Sequence, residues 1–150
     1  GSLGHGLGIA AGMALAEKNR NIIVLLSDGE LQEGSTWETV LFISSRNLKN
    51  VMIIVDNNNL QSSTKTSDTH PSLYPIEKKF VSFGWDVESC DGHNIKQIEK
   101  KLKKKNNKKL AIIAKTIKGY PISFMKNNPI WHYRSPNDEE LKLALKELSK

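Results

Sequence analysis

The sequence predicts an α/β fold in which a mostly parallel sheet has helices on both faces. The first indication is a set of three short, continuous apolar runs, at residues 22–26, 51–55 and 110–114. Runs of this kind are typical of parallel strands that are buried on both faces. The second indication is the order of elements, because segments with helical patterns separate these runs and no internal repeat is present. Strands that alternate with helices favour a parallel sheet.

The first helix and the first strand are predicted at the start of the chain. The segment GSLGHGLGIAAGMALAEKN begins as a glycine-rich turn and continues as a helix. The apolar side chains Ile9, Met13 and Leu15 stand among alanines there, and we expect this surface to pack closely. The run that follows, NIIVLLSD, has the length of a strand, and we expect both of its faces to be buried.

The second helix, the second strand and a long loop are predicted next. Ser35 and Glu38 form an S-x-x-E pattern, which predicts a capping box at the start of the helix GSTWETVLFISSRNL. The apolar run at residues 51–55 is the second buried strand. Residues 57–74 then form a polar loop that is rich in Ser and Thr. Loops of this length are uncommon unless they have a function.

Two strands and two helices are predicted in the second half of the chain. One strand lies around residues 85–89, and the last apolar run is the other. Between them, NIKQIEKKLKKK predicts a helix with Ile95, Ile98 and Leu102 on one face. An irregular segment, GYPISFMKNNPIWHYR, leads to the last helix, SPNDEELKLALKELSK. We expect Pro136 in the first turn of that helix, followed by acidic residues that suit the helix dipole.

Length and composition limit the class of protein. The 150 residues, of which 38% are hydrophobic and 25% are charged, are enough for one domain with a core and too few for two. No segment reaches the roughly 18 to 20 apolar residues of a membrane span, and we expect no membrane partner. The single Cys90 excludes an intramolecular disulfide, so we expect a reducing, cytoplasmic setting.

The net charge of +6 comes from one segment and gives little support to nucleic-acid binding. The run KKLKKKNNKK, from Lys100 to Lys109, holds seven lysines and no acid, so the rest of the chain has a net charge of −1. No arginine or aromatic residue stands within the run to contact base edges or to stack on bases. We therefore expect a solvated helix end and turn, and nucleic acid is not an expected partner.

Residues with chemical potential follow the predicted strands at their carboxyl ends. Asp28 and Gly29 follow the first strand, residues 57–60 follow the second, and Lys118 follows the last. In sheets of this class, ligands bind beyond the carboxyl ends of the strands. A carboxylate and an amide oxygen from neighbouring strand ends suit Mg²⁺, and the glycine-rich turn of residues 1–8 suits an anion such as a diphosphate. The sequence therefore predicts a metal-bridged diphosphate site at this edge.

These motifs resemble, in order and spacing, those of a known enzyme family. SDGELQEGSTWE followed by VDNNNLQ is similar to the thiamine diphosphate signature, a GDG and an NN separated by one helix and one strand. GSLGHGLGIAAGMALA, DGELQEGSTWE, AKTIKGYPISFM and WHYRSPNDEEL resemble the diphosphate-binding domain of transketolase, in particular the N-terminal subunit of transketolases that are split over two chains. Two positions depart from the family, because Ser27 replaces the first glycine of the signature and Tyr133 replaces the glycine of the family's WHG.

The resemblance implies a thiamine-diphosphate-binding fold, of which the chain would be the diphosphate-binding (PP-type) domain without its N-terminal part. Asp28 and Asn58 would bind Mg²⁺ through their side chains, and Leu60 would bind it through its backbone carbonyl. Gly29 would contact the diphosphate. Three further residues would lie along the cofactor, namely Gly1, Ser2 and Leu3.

The resemblance also implies roles for residues near the substrate. Lys118 matches a family lysine near the cofactor, and His132 in WHY matches a catalytic histidine that faces cofactor and substrate. Glu33 matches an acid that lies near the cofactor at a subunit interface. Histidine is the side chain that exchanges protons near neutral pH, so His132 would suit the proton of a sugar hydroxyl.

The family's activity would need a second chain. In the family, the glutamate that activates the cofactor's pyrimidine ring belongs to a separate domain, for which 150 residues leave no room. The resemblance therefore implies a half-site, in which residues 1–150 anchor the diphosphate and a companion chain supplies the pyrimidine-binding domain, in a dimer of such pairs. Together they would transfer two-carbon ketol units between sugar phosphates.

Several alternatives remain open from the sequence. Another thiamine diphosphate enzyme, such as a deoxyxylulose-phosphate synthase or a dehydrogenase subunit, would share the metal motif. A non-catalytic nucleic-acid-binding or scaffold module would use the run from Lys100 to Lys109, and a fragment that keeps the fold without activity is a third alternative. Apart from the resemblance, we expect Glu30 to face solvent, His5 to start a helix or contact phosphate, and His93 to fix a turn.

Overall fold

The computed structural model describes residues 1–103 and 108–149, and its centre is a four-stranded parallel sheet. The strands among these residues are β1 Ile22–Ser27, β2 Val51–Asn57, β3 Leu60–Gln61, β4 Thr64–Lys65, β5 Asp86–Asp91 and β6 Leu110–Lys115. The sheet has the order β1, β2, β6, β5. Its three pairings are parallel, with Ile22 opposite Val51 and Leu110 opposite both Met52 and Asp86. The predicted α/β class and the parallel sheet are therefore confirmed.

Helices connect the strands of the sheet. The α-helices among the described residues are α1 Gly6–Ala16, α2 Gly34–Ser45, α3 Thr66–Thr69, α4 Ile76–Ser82, α5 Ile95–Leu102 and α6 Asp138–Leu148. Short 3₁₀ turns cover Gly29–Gln32, Pro71–Leu73 and Pro129–His132. Helices α2, α4 and α5 each stand between two parallel strands in the chain, as parallel pairing requires. No helix in the described ranges is both long and apolar enough to cross a membrane.

The larger core lies on the sheet face that α1, α2 and α4 cover. Ile53 of β2 and Ile113 of β6 are fully buried there, together with Val40 of α2 and Phe80 of α4. Trp37 of α2 packs on Phe80 with the ring centroids 5.3 Å apart. Because burial of apolar surface is the dominant favourable contribution to folding, this face holds the three helices against the sheet.

The opposite face of the sheet is covered only in part. Ile98 and Leu102 of α5 pack against the cluster that contains Ile112 of β6. Strand β1 lies at the sheet edge, and its Ile23 and Leu25 side chains are 51% and 69% exposed. The prediction that both faces of this strand are buried is therefore wrong, because α5 covers the other strands and leaves this side of β1 open.

Helix α1 buries its small side chains and exposes several larger ones. Leu7 and Ala10 belong to the core, where a small side chain allows the helix to approach its neighbours closely. Ile9 and Met13 are exposed, and together with Ile23 they line an open groove of about 370 Å³ beside β1. The predicted close packing of α1 therefore holds for its alanines and not for these two side chains.

Three predicted details of the helices are wrong. Ser35 does not cap α2, because the helix begins one residue earlier and Ser35 lies inside it. Pro136 precedes α6, whose N-cap residue is Asn137 in a capping box with Glu140. Ile95, which was expected on the packed face of α5, is exposed at the first residue of that helix.

The long polar loop has secondary structure of its own. Strands β3 and β4 form an antiparallel hairpin immediately after β2, with Leu60 opposite Lys65. Helix α3 and the 3₁₀ turn Pro71–Leu73 follow it and lead to α4. This path returns the chain to the end of β1, so that Thr66 and Tyr74 reach Asp28.

Lysines of the basic run contact acids where the structure describes them. Lys101 pairs with Glu88 at 2.7 Å, and Lys108 pairs with Asp86 at 3.6 Å. Residues 104–107, the rest of the run on which the nucleic-acid alternative depends, lie outside the described residues. Pairs near the surface contribute little to stability, but they reduce the positive charge that the described part of the run presents.

Candidate functional site

The carboxyl ends of β1, β2 and β6 meet at one edge of the sheet and bring the predicted site residues together. Asp28 follows β1, and its backbone N–H donates to the carbonyl of Asp56 at 3.0 Å. Asn58 follows β2. The N–H of Thr116, just past β6, donates to the carbonyl of Asn57 at 3.2 Å. The parallel alignment therefore places Asp28, Asn58 and the start of the last site segment side by side.

The Asp28 carboxylate is fully buried and contacts four other residues. Its Oδ1 atom accepts the N–H of Gly29 at 2.8 Å. Its Oδ2 atom accepts the N–H of Asn59 at 2.6 Å, and it lies 3.3 Å from the Thr66 hydroxyl and 3.4 Å from the Tyr74 hydroxyl. The sequence did not identify Asn59, Thr66 or Tyr74, and the one signal that pointed to them was the length of their loop.

The surroundings of Asp28 disfavour its negative charge. Burial raises the pKa of the Asp28 carboxyl above its ordinary value, and the nearby Asp56 adds to this shift. Hydrogen bonds from Asn59, Gly29 and Thr66 oppose it. Among the ion pairs of the described residues, none involves Asp28 or Asp56. A cation bound beside these two carboxylates would favour the charged form of Asp28.

Asn58 is oriented by its own set of neighbours. Its Oδ1 atom accepts the N–H of Leu60 at 2.8 Å, and its Nδ2 atom donates to Oδ1 of Asp56 at 3.1 Å. The Thr116 hydroxyl makes a short hydrogen bond to the same Asp56 oxygen. Because only the nitrogen of an amide donates and only its oxygen accepts, these contacts distinguish the two ends of the Asn58 side chain. No hydrogen bond among the described residues joins the side chains of Asp28 and Asn58.

Oxygen donors predominate at these strand ends. Asp28 offers a carboxylate, Asn58 an amide oxygen and Leu60 a backbone carbonyl, which are the hard donors that Mg²⁺ binds. Within the described ranges, no group of three or more His, Cys, Asp or Glu side chains forms a metal site by itself. Mg²⁺ needs no such group, since it keeps water or phosphate oxygens in most of its shell. The donor set therefore fits a divalent cation that is shared with a phosphate ligand.

The glycine-rich turn is bound to the loop that follows Asp28. Gly4 has a φ of +80°, its N–H donates to Oε1 of Glu30 at 2.9 Å, and its carbonyl accepts the Ser35 hydroxyl at 3.0 Å. A Cβ atom at Gly4 would lie 2.4 Å from Oγ of Ser35, so both the backbone conformation and the space require glycine. The expectation that Glu30 faces solvent is therefore wrong, because its carboxylate holds the turn.

The other predicted residues of this region lie at the surface. Gly1, Ser2 and Leu3 are exposed, and the Leu3 carbonyl lies 3.0 Å from Nδ1 of His5. Glu33 is exposed at the N-cap of α2. These residues are accessible to a ligand or to another chain at the same end of the domain.

The residues on either side of Asp28 explain one departure from the family signature. The Oγ atom of Ser27 accepts the N–H of Glu30 at 3.0 Å, a hydrogen bond that a glycine cannot supply. A Cβ atom at Gly29 would lie 3.1 Å from the Cβ atom of Gln61 in the hairpin, which is closer than most such contacts. The second glycine of the signature is therefore needed for space, and the first position accepts a serine.

Lys118 and His132 lie close together in a more exposed part of the site. Nζ of Lys118 is 3.5 Å from Nδ1 of His132. His132 is exposed, and its ring packs edge-on to that of Tyr133 with the centroids 4.9 Å apart. Tyr133 is 69% exposed, so the second departure from the family adds an aromatic ring to the surface around His132.

His93 supports the segment that contains Lys118. The N–H of Ile117 donates to Nε2 of His93 at 2.8 Å, and the His93 ring lies 4.0 Å from that of Tyr120. The backbone N–H of His93 donates to Oδ1 of Asp91 at 2.9 Å, which is the predicted turn. His93 therefore joins the end of β5 to the segment after β6, a contact that the sequence did not predict.

Comparisons with known proteins agree with this geometry. The sequence matches the family described as transketolase, thiamine diphosphate binding domain, over residues 1–149. It is 42% identical to one of the named subunits of the apulose-4-phosphate transketolase of Actinobacillus succinogenes, over 99% of this chain and 55% of that protein. It is 38% identical to human transketolase over 88% of this chain and 22% of that protein.

A solved structure shows the same similarity in three dimensions. Transketolase from Campylobacter jejuni superimposes with a TM-score of 0.84 and 26% sequence identity, over 99% of this chain and 25% of that chain. The chain thus spans about half the length of the Actinobacillus relative and a quarter of this transketolase. The resemblance that the sequence motifs indicate is confirmed, and the chain belongs to the family of transketolase thiamine diphosphate binding domains.

Proposed function

We propose that this chain anchors thiamine diphosphate through a divalent cation, Mg²⁺, in a transketolase-type enzyme. The observation that supports this most directly is the buried Asp28 carboxylate beside Asp56, with no cationic side chain paired to either among the described residues. A divalent cation that lies between the strand ends and a diphosphate compensates the negative charge on both sides.

Each residue at the strand ends has a role in this proposal. Asp28 and Asn58 bind the cation through their side chains, and Leu60 binds it through its carbonyl. Gly29, which has no Cβ atom, allows the diphosphate to approach the backbone. Three exposed residues of the glycine-rich turn lie along the cofactor, namely Gly1, Ser2 and Leu3.

Lys118 and His132 face the cofactor and the substrate in this proposal. Bound thiamine diphosphate supplies the chemistry that stabilises a carbanion. His132 takes and returns the proton of a sugar hydroxyl. Lys118, 3.5 Å from His132, presents a positive charge to the anionic ligands. Glu33, exposed at the start of α2, contacts a partner subunit near the cofactor.

The proposed activity is the transfer of a two-carbon ketol unit between sugar phosphates. Two relatives are each named as one subunit of an apulose-4-phosphate transketolase, which supports a division of the activity over two chains. We expect a companion chain with the pyrimidine-binding domain, two such pairs in a dimer, and a cytoplasmic location. Residues 1–150 then act as one diphosphate-binding domain.

Reconstitution with the companion chain tests the proposal. Ketol transfer from a sugar phosphate donor is measured with and without thiamine diphosphate, and before and after chelation of divalent cations. We expect activity only when both chains, the cofactor and a divalent cation are present. The absence of ketol transfer at saturating cofactor would contradict the transketolase assignment. Turnover with a pyruvate donor instead would indicate another class of thiamine diphosphate enzyme.

A further inference from the structure

Asn59, Thr66 and Tyr74 form a hydrogen-bonded network around the Asp28 carboxylate. Thr66 is fully buried, and its hydroxyl oxygen lies 2.6 Å from that of Tyr74 and 2.9 Å from Oδ1 of Asn59. The backbone N–H of Asn59 donates to Oδ2 of Asp28 at 2.6 Å. The network therefore links the carboxylate at the end of β1 to the loop that contains α3.

The number of hydroxyl protons determines the direction of this network. Thr66 and Tyr74 have one such proton each, and either oxygen can also accept. The shortest contacts use both protons in one order, in which Tyr74 donates to Thr66 and Thr66 donates to Asn59. The approaches of the two hydroxyls to Asp28, at 3.3 and 3.4 Å, are longer. The N–H of Asn59 is therefore the principal donor to Oδ2.

Asn59 has a backbone conformation that few residue types adopt readily. Its φ is +60°, in the left-handed region where Asn is more frequent than most other residues. Its Oδ1 atom accepts the N–H of Ser67 at 2.9 Å in addition to the Thr66 hydroxyl. These contacts fix the side chain, and the fixed side chain holds the backbone N–H toward Asp28.

We infer that Asn59, Thr66 and Tyr74 are positioning residues that orient Asp28 for a divalent cation, an inference that rests on the proposed function. The network occupies Oδ2, whereas Oδ1 accepts a single N–H, from Gly29, among the described residues. A carboxylate oxygen has two lone pairs, so Oδ1 keeps the capacity to bind a cation. The network thus selects which oxygen of Asp28 contacts the metal, as outer-shell partners of ligating carboxylates do.

A direct measurement of cation affinity in the full-length protein tests this inference. Mn²⁺ serves as the probe, and free Mn²⁺ is followed by electron paramagnetic resonance in saturating thiamine diphosphate. Thr66→Val removes the central hydroxyl and keeps the shape of the side chain. We expect the affinity for Mn²⁺ to fall about tenfold, the lower end of the losses that follow removal of an outer-shell partner. Thr66→Ser keeps the hydroxyl and should keep the affinity.

Two further variants keep the test decisive. Tyr74→Phe removes the first donor of the network, and it should lower the affinity in the same direction by a smaller factor, even if Thr66→Val does not fold. Thr36→Val is the matched control, because Thr36 is also fully buried and its hydroxyl donates to the Glu30 carbonyl at 3.2 Å, outside the network. The control should lower the melting temperature without changing the affinity for Mn²⁺.

The outcomes distinguish the inference from the proposed function. Unchanged Mn²⁺ affinity in the Thr66→Val and Tyr74→Phe variants would overturn the inference and leave the metal site standing. An equal loss in Thr36→Val would also overturn it, because the effect would then be one of general stability. Failure of the unmodified protein to bind Mn²⁺ with the cofactor would instead overturn the metal site, and the inference with it.

Discussion

The Asp28 side and the His132 side of the site lie at the same edge of the sheet but are built differently. Asp28 is fully buried, and its carboxylate contacts four residues. His132 is exposed, and the polar contact that the structure gives its side chain is with Lys118, at 3.5 Å. One side is therefore fixed by the fold of this domain, whereas the other is held by few contacts.

This difference suits the two tasks of the proposed enzyme. Binding a cation and a diphosphate requires donors that are already in place, which buried hydrogen bonds provide. Residues that exchange protons with changing substrates need access to solvent and to a partner chain. We therefore expect changes on the Asp28 side to alter binding and stability, and changes on the His132 side to alter turnover.

Asp28→Ala should have the largest effect. Asp28 supplies the carboxylate of the proposed ligand set, so its removal should abolish cation-dependent binding of thiamine diphosphate in calorimetric titrations. Asp68→Ala is the control, because Asp68 is an exposed acid in the same loop and should bind the cofactor like the unmodified protein. Cofactor affinity that is unchanged in Asp28→Ala would remove the metal assignment.

His132→Gln should separate the two sides most clearly. We expect kcat for ketol transfer to fall at least about 100-fold, the lower end of the range for loss of a general acid–base group, with the affinity for Mn²⁺ unchanged. The exposed His70, in the polar loop, provides the control His70→Gln, which should leave both quantities unchanged. An unchanged kcat in His132→Gln would show that this exposed histidine does not take part in proton transfer.

Gly4→Ala should weaken the contact between the glycine-rich turn and the loop after Asp28. The added Cβ atom meets Oγ of Ser35 at 2.4 Å, and φ is +80°, so we expect a loss of roughly 1–3 kcal/mol in the free energy of unfolding. Gly12→Ala in α1 is the control, because no atom lies within 4 Å of its added Cβ. That variant should gain about 0.5–1 kcal/mol. Similar urea midpoints for the two variants would contradict this explanation.

The sequence predicted the sheet and the position of the site because both depend on local patterns. Continuous apolar runs identify buried parallel strands, and the ends of such strands must share an edge, so Asp28 and Asn58 were expected to be neighbours. The sequence did not reveal that β1 is an edge strand, because strand order depends on long-range packing. The exposure of Ile23 and Leu25 follows from that order.

The network around Asp28 lay beyond prediction for a related reason. Thr66 and Tyr74 are 38 and 46 residues from Asp28 in the chain, and a polar loop has no periodicity that shows which side chains turn inward. The same holds for Glu30, whose contact with Gly4 spans 26 residues. Residues that act through hydrogen bonds across loops are visible only when the loops are folded.

Glu140→Gln should have the smallest effect, and it acts near His132. Arg134, two residues after His132, donates to the Glu140 carboxylate, which also accepts the N–H of Asn137 at 2.9 Å. The hydrogen bond from Arg134 lowers the pKa of the Glu140 carboxyl below its ordinary value, and the Asn137 N–H adds to this shift. A lowered pKa in the folded state stabilises the protein above the unfolded pKa, and this contribution is lost as the pH falls through the folded pKa.

We therefore expect Glu140→Gln to melt slightly below the unmodified protein at neutral pH, and the difference to disappear at acidic pH. Glutamine can still accept the N–H of Asn137 and loses only the charge that Arg134 contacts. Glu139→Gln is the matched control, since Glu139 is an exposed acid in the same helical turn without an ion pair among the described residues. A melting difference that stays constant from neutral to acidic pH would show that the charge of Glu140 makes no contribution. The segment after His132 would then have no ionic link to α6, and the contrast with the Asp28 side would be larger still.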